Sequence, residues 1–517
     1  MGQEDPRILE LRAMRERARQ AGGAEQLAKQ HAKHKLTARE RLDLLLDPDS
    51  FNELAPFITQ QSDDLNLGGE RYLGDGVIIG SGQIDGRTVY IYAQDFTIHG
   101  GTLGEMQSRK ICQVMDLALR NGAPIIGLID SGGARIQEGV RSLDGYAEIF
   151  RRNAQYSGII PQISIMLGPC AGGASYSPAL TDLIVMVRQH SYMFITGPDV
   201  IRAVTGEQVD AESLGGADIH MATSGLAHLA AASDQEALAL CRRVLGYLPA
   251  NNVENPPSIP PADDPQRMDG ELNTIVPLDP AAPYSMHAVI AKIVDRDSFV
   301  ELQPAWACNA LVGLARMDGR SVGIVAQEPS VMAGVIDIDA ADKIARFVRL
   351  CDCFNIPLLT FVDSPGFLPG VEQEHGGIIR HGAKIIYAYA EASVPKISVV
   401  TRKAYGGAYV VMNSKYLGSD INFAWPSAEI AVMGAEGAAN ILFKKQIAAA
   451  ADPEAARARL AENYRQHFSN PYYAAGVGAI DDIIEPRETR PKLIMALAAL
   501  RDKSVAALPR KHGNIPV

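Results

Sequence analysis

The chain has 517 residues, 47% of them apolar and 21% charged, and a net charge of −11 at neutral pH. That length exceeds one ordinary domain, and the composition supports sizeable buried cores. The acidic balance excludes the basic footprint of a nucleic-acid binder as a bulk property, so no nucleic acid is expected as a partner.

The N-terminal stretch Met1–Gln20 is charged and lacks the apolar centre of a secretory signal. No apolar run approaches the roughly 18 residues of a membrane span. The six cysteines, Cys112, Cys170, Cys241, Cys308, Cys351 and Cys353, form no zinc-ribbon spacing and no disulfide framework. A reducing compartment follows, and a cytoplasmic location is expected.

In chain order, Thr37 and Glu40 ahead of Leu42, Leu44 and Leu45 predict a capping box opening a helix. Ile125–Ile129 is a short apolar run ended by Asp130, Ser131 and a glycine turn, the pattern of a parallel strand covered on both faces. Ile163–Leu167 repeats it and leads through Gly172 and Gly173 into a helix-compatible stretch. From Asn251 to Tyr284 the apolar periodicity fades while Pro256, Pro257, Pro260, Pro261 and Pro265 accumulate, which predicts a linker. Beyond it, Leu358–Val362 and Ile397–Val400 restate the two strands, the second leading into Gly406 and Gly407.

This restatement is a tandem repeat. Asp318-Gly319-Arg320 lies 233 residues after Asp85-Gly86-Arg87, and at the same shift Lys110 becomes Lys343 and Asp130-Ser131 becomes Asp363-Ser364. The shift grows to 234 for Pro161 and Pro395 and for the two glycine pairs. Asp47–Leu54 matches Asp295–Leu302 at a shift of 248, so the first half holds about 15 additional residues between Leu54 and Asp85. Two homologous α/β domains are expected, 1–250 and 285–517, joined by a proline-rich linker over 251–284.

Each glycine pair follows a buried strand and opens a helix, where unsatisfied N–H donors can hold a carbonyl oxygen as it becomes an oxyanion or enolate. The plainer alternative is room for tight helix–strand packing, and spacing leaves both open. Asp130 and Asp363 at strand ends serve either as catalytic carboxylates or as caps of the following turn. Ser175 lacks a nucleophile elbow around it. No phosphate loop is present, and the histidines never pair at metal-binding helix spacing.

These segments resemble the carboxyltransferase (β) subunits of propionyl-CoA and acetyl-CoA carboxylases. The likeness runs through Gln30–Arg41, Gln94–Thr97, Asp130–Gly139, Ser191–Pro198, Leu214–Ala217, Asp363–Gly370, Gly376–Lys384, Arg402–Tyr409, Ala424–Pro426 and Lys511–Pro516. It implies two crotonase-like domains of the ClpP/crotonase superfamily in tandem. It also implies a homohexamer in which one subunit's N-domain faces another's C-domain. The first domain would bind acyl-CoA, with the thioester oxygen on the N–H groups of Gly172 and Gly173. The second would bind biotin, with the ureido oxygen on those of Gly407 and Ala408. Gly133, Ala134 and Arg135, with Tyr409 and Val410, fall at implied substrate-binding positions, and Gly366, Phe367 and Gly406 at implied biotin-binding ones.

On this scheme no side-chain base is needed and no metal is expected in the chain. Without a biotinylation motif or an ATP-grasp-like loop, carboxybiotin would come from a separate biotinylated biotin-carboxylase or carrier subunit. Lys110, Arg135, Lys343 and Lys403 are the cations near the turns that CoA phosphates would meet; each is otherwise an ordinary solvated charge. The substrate implied is propionyl-CoA or a longer acyl-CoA; members of that family carry Asp or Ile where this chain has Val410, which favours the longer chains. The same half-reaction run by a decarboxylase or a transcarboxylase is an alternative, and a non-enzymatic CoA-binding scaffold a more distant one.

Overall fold

A computed structural model describes residues 4–61, 71–261, 263–506 and 509–516. By internal contacts the chain divides into two units, Met1–Glu254 and Asn255–Val517. Residues 62–70, part of the first half's extra length, lie outside the described residues.

The first unit is built on β1 (Asn52–Leu54), β2 (Val77–Ile84), β3 (Arg87–Gln94), β4 (Ile125–Ser131), β5 (Gln162–Ala171), β6 (Leu183–Val187), β7 (Tyr192–Phe194) and β8 (Leu229–Ala231). Their order is β1-β2-β3-β4-β5-β6-β8, with β7 paired to β5 beyond the point where β6 leaves it. The first two pairings are antiparallel and those from β3 onward parallel. All seven residues of β4 are buried, as its unbroken apolar run requires when both faces are covered. The helix Glu105–Asn121 packs beside β2 and β3 and ends where Gly122 takes φ +58, the left-handed conformation that closes helices. The expected capping box is present, Thr37 and Glu40 bonding each other's backbone at the start of the helix Ala38–Leu45.

The second unit repeats the plan with β9 (Val300–Leu302), β10 (Ala310–Met317), β11 (Arg320–Gln327), β12 (Leu358–Ser364), β13 (Lys396–Tyr405), β14 (Ile421–Ala424), β15 (Glu429–Ala431) and β16 (Asp482–Ile483). The order β16-β14-β13-β12-β11-β10-β9, with β15 on β13, mirrors the first sheet strand for strand. Its core includes Trp425, fully buried, with its indole N–H donating to Thr489 Oγ1 at 2.9 Å.

The stretch expected as a linker is divided differently. From Asn255 onward it clusters with the second unit. Ile259 N–H donates to Gly319 O, and Leu272 and Tyr284 are buried in that unit's core. The prolines break the periodicity that marks an element, yet isolated apolar side chains between them still bury.

The repeated lysines are internal ties. Lys110 Nζ donates to Gly74 O and Val77 O, and Lys343 Nζ to Gln303 O, Trp306 O and Ala310 O. Each reaches from a helix to gather the carbonyls of the loop ahead of the antiparallel hairpin. Burial pulls both ammonium groups down to about 8. Among the described residues no helix is long and apolar enough to cross a membrane. All six cysteines are free thiols.

His287 offers a pH handle on the second unit. Its ring bonds Glu301 through Nε2 at 2.8 Å and Glu328 through Nδ1 at 3.1 Å, and these two contacts raise it to about 9. A histidine raised above its unfolded value of about 6.5 stabilises fully below that value. The contribution is then lost as pH climbs through the folded value. The melting temperature of wild type should therefore exceed that of His287→Asn most below about pH 6.5, with the gap closing above about pH 9. A gap independent of pH in paired thermal melts would overturn this.

Candidate active site

In each unit the geometry begins with a buried carboxylate at the end of the strand before the glycine turn. Asp130 is the last residue but one of β4 and Asp363 of β12, both with no exposed surface. A buried carboxylate without partners costs several kcal/mol, so each collects cations. Asp130 takes Lys35 Nζ at 2.8 Å, Arg41 Nη1 at 2.9 Å and Gln30 Nε2 at 3.2 Å. Arg41 continues to Asp234 at 2.8 Å and to Leu167 O on β5 at 3.1 Å. Asp363 takes Arg402 Nε at 2.9 Å and the Lys403 N–H at 3.1 Å, both from β13. Burial pushes the Asp363 carboxyl up, while Arg402 and the Lys403 amide pull it the other way. Arg402 also lies 4.8 Å over the Tyr284 ring.

These contacts tie the end of β4 to β5 and the end of β12 to β13. In both pairs the register then slips by two residues, and pairing resumes at Ser131–Cys170 and Ser364–Ala404. The next turns are also twins. Ser131 Oγ accepts the Gly133 N–H at 3.2 Å, and Ser364 Oγ accepts the Gly366 N–H at 3.3 Å. Ala134 bridges to Leu103, and Phe367 to Ile336. Gly133 (φ +102) passes so close to β5 that a Cβ there would sit 2.9 Å from Ala171 O.

The strands then end in the glycine pairs. Gly172 at φ +62 and Gly406 at φ +54 turn the chain through the left-handed region, where a side chain costs about 1–2 kcal/mol. Short helices start at once, Gly172–Ser175 with Tyr176–Ala179 in the first unit and Gly406–Val411 in the second. The first N–H groups of such a turn have no partner within it. Tyr146 stands against Gly173, and the Phe367 ring against Gly407, 3.5 and 3.4 Å from where a Cβ would be. Gly406 and Gly407 are thus the counterparts of Gly172 and Gly173, and Ala408 that of Ala174. The two donor pairs implied by resemblance are offset by one position.

Other expected residues fall apart from this geometry. Arg135 is buried, its guanidinium held by Asp75 and Glu138 at 2.7 Å each and by Thr102 O. It is a strut beneath the Gly133 turn and has no free face for substrate. Lys110 and Lys343 are equally committed, so of the four cations near the turns only Lys403 is partly open. Ser175 is buried, its hydroxyl donating to Cys170 O and Phe194 O. Tyr409 is half-buried with its hydroxyl 3.5 Å from Ala479 O, and Val410 is 46% exposed. Lys35, Arg41, Arg402 and Tyr284 were not singled out from sequence, although Arg402 standing where the first repeat has Gly168 was a legible sign.

The biotin ureido group asks for backbone donors beside an apolar wall. The Gly406–Ala408 turn, with the Phe367 ring against Gly407 and open space at Gly366, fits that demand. Duplicated strand-end turns of this kind, one on each of two sheets with the same strand order, define a tandem crotonase-like carboxyltransferase fold. The profile of the carboxyl transferase domain family matches residues 29–515, and the chain belongs to that family. A propionyl-CoA carboxylase carboxyltransferase subunit of Haloferax mediterranei is 56% identical over 517 residues, covering 100% of both chains. Methylmalonyl-CoA decarboxylase subunit alpha of Propionigenium modestum is 52% identical over 99% of both. The solved transcarboxylase 12S, a hexamer with methylmalonyl-CoA and methylmalonic acid bound, superposes with a TM-score of 0.97 at 50% identity, covering 100% of this chain and 99% of that one.

Gly172→Ala and Gly406→Ala should each lower carboxyl transfer by about 100-fold or more, since a displaced oxyanion donor costs that much. Ser175→Ala should keep roughly a third or more of the rate, because its hydroxyl holds backbone and attacks nothing. Steady-state rates beside thermal melts check both; loss of activity in a well-folded Ser175→Ala protein would reverse the assignment.

Proposed function

We propose that the chain performs the carboxyltransferase half-reaction of a biotin-dependent acyl-CoA carboxylase, with acyl-CoA on the first unit and biotin on the second. The observation that carries this reading is the twin turn: the same buried carboxylate, register slip and left-handed glycine in both units. One such turn would suit one carbonyl ligand, and two suit two. Carboxybiotin, presented by a biotinylated biotin-carboxylase or carrier subunit, supplies the carboxyl group when bound.

The chain's own part is electrostatic. The N–H groups of Gly172 and Gly173 hold the thioester oxygen and stabilise the negative charge that builds on it during carboxyl transfer. Those of Gly407 and Ala408 hold the ureido oxygen, with Gly406 setting the turn and Gly366 and Phe367 walling it. Gly133 and Ala134 line the acyl-CoA turn. Asp130, Asp363 and Ser175 are buried and bonded, which leaves backbone positioning as the chain's means of catalysis. A homohexamer in the cytoplasm is the proposed setting; the hexameric relative supports the first, and six free thiols suit the second.

A second reading is favoured by the decarboxylase and transcarboxylase relatives, which cover the chain almost fully. The first is named for the decarboxylation of methylmalonyl-CoA, and the second has methylmalonyl-CoA bound. Purified chain with biotinylated partner, ATP, labelled bicarbonate and an acyl-CoA panel decides between them. Fixation into acid-stable product supports the carboxylase. Absence of fixation, with label released from methylmalonyl-CoA supplied carboxyl-labelled in a parallel reaction, supports the reverse direction.

Val410 lies partly exposed on the helix Gly406–Val411. An apolar side chain there removes the desolvation cost that a carboxylate would impose on an alkyl chain. Rates from acetyl- to octanoyl-CoA should extend beyond propionyl in wild type and contract in Val410→Asp. Identical chain-length profiles for the two proteins would reject this role.

A further inference from the structure

We infer that the second unit carries a separate binding site for a small organic oxyanion, a carboxylate or phosphate ester with a short apolar body. The site lies at the end of the sheet opposite the glycine turn. A cavity of about 480 Å³ opens there beside the first residues of β11 and the residues leading into β12 and β13. That volume is in the range of about 300–1,000 Å³ usual for small-molecule sites. Strands of this length put it roughly 20–30 Å from the turn at Gly406.

Its lining is one-sided in charge. Arg320, Arg501 and Lys503 face it, and among the described residues no Asp or Glu does. Lys503 is already bound to Val394 O and Asp420. The guanidinium groups of Arg320 and Arg501 make no ion pair or hydrogen bond with the described residues. Ser321, 4% exposed, also lines the cavity, and its hydroxyl has no hydrogen-bond partner. Val322 and Leu497 give it an apolar floor. Two uncommitted guanidinium groups, an unpaired hydroxyl and an apolar floor along one cavity are the complement of an amphipathic oxyanion.

The repeat supplies the control. In the first unit the counterpart of Arg320 is Arg87, which donates to Leu245 O and Leu248 O at 2.9 and 2.8 Å. Asn251 Nδ2 bonds Gly122 O, and the Asn252 N–H bonds Ile159 O, the positions matching Asn355 and Ser393. That place is therefore filled by the chain's own residues 245–252, with Leu248 fully buried. The second unit keeps the arginine, leaves the space open and substitutes Asn355 for Gly122.

Calorimetry on the full chain, saturated throughout with propionyl-CoA, tests this with hexanoate, phenyl phosphate and neutral hexanamide. Either anion should bind at one site per chain, and which one binds identifies the oxyanion. Affinity should drop about tenfold or more in Arg320→Gln and in Arg501→Gln, as expected when a charge-assisted contact is removed. Arg501 is exposed, so its variant should fold and keep carboxyl transfer. Absence of saturable binding by both anions, undiminished affinity in both variants, or equal binding of hexanamide would overturn the site.

Discussion

Everything at the two turns depends on a carboxylate placed where water cannot reach it. Removing one partner from a buried ion pair costs about 3–5 kcal/mol, so the neighbours of Asp130 and Asp363 are obligatory. Because those neighbours sit on or bond to the adjacent strand, meeting the charge also sets where that strand ends. The strand end sets the left-handed glycine, and the glycine aims the N–H groups. A charge buried away from solvent thereby fixes the position of the donors to which the chemistry is assigned.

The solution differs between the halves. In the first unit a Cβ at position 168 would lie 1.8 Å from Asp130 Oδ1, so the strand has glycine and the cations arrive from Lys35 and Arg41. In the second unit the strand brings its own cation, Arg402, and Tyr284 lies under it. The backbone result is the same, down to the register slip. The constraint is the neutralised carboxylate, and the residue that neutralises it is free to vary.

Local pattern made most of the fold legible. Strands buried on both faces announce themselves as unbroken apolar runs, and the repeat located their partners. The glycine pairs were found because left-handed turns at strand ends leave little other choice of residue. What stayed hidden was tertiary. Lys110, Lys343 and Arg135 look like solvated charges until the loops that surround them are in place. Lys35 and Arg41 lie in a conspicuous motif, but nothing local connects them to Asp130 about ninety residues away. The proline-bearing stretch before Tyr284 shows no period, so its contribution to a core is invisible in one dimension. The one-residue offset between donor pairs already follows from the shift of 234 between the glycine pairs, and the strand ends, Ala171 and Tyr405, keep that shift.

The unequal origin of the cations bears on modularity. The carboxylate of the second unit is compensated from the neighbouring strand of its own sheet, so that half is self-sufficient at its most sensitive point and suited to being moved as a cassette. The first half borrows its compensation from helices that precede the sheet, and trimming them would strand a negative charge in its interior. After duplication the two copies thus became different kinds of part, one portable and the other tethered to its own leading segment.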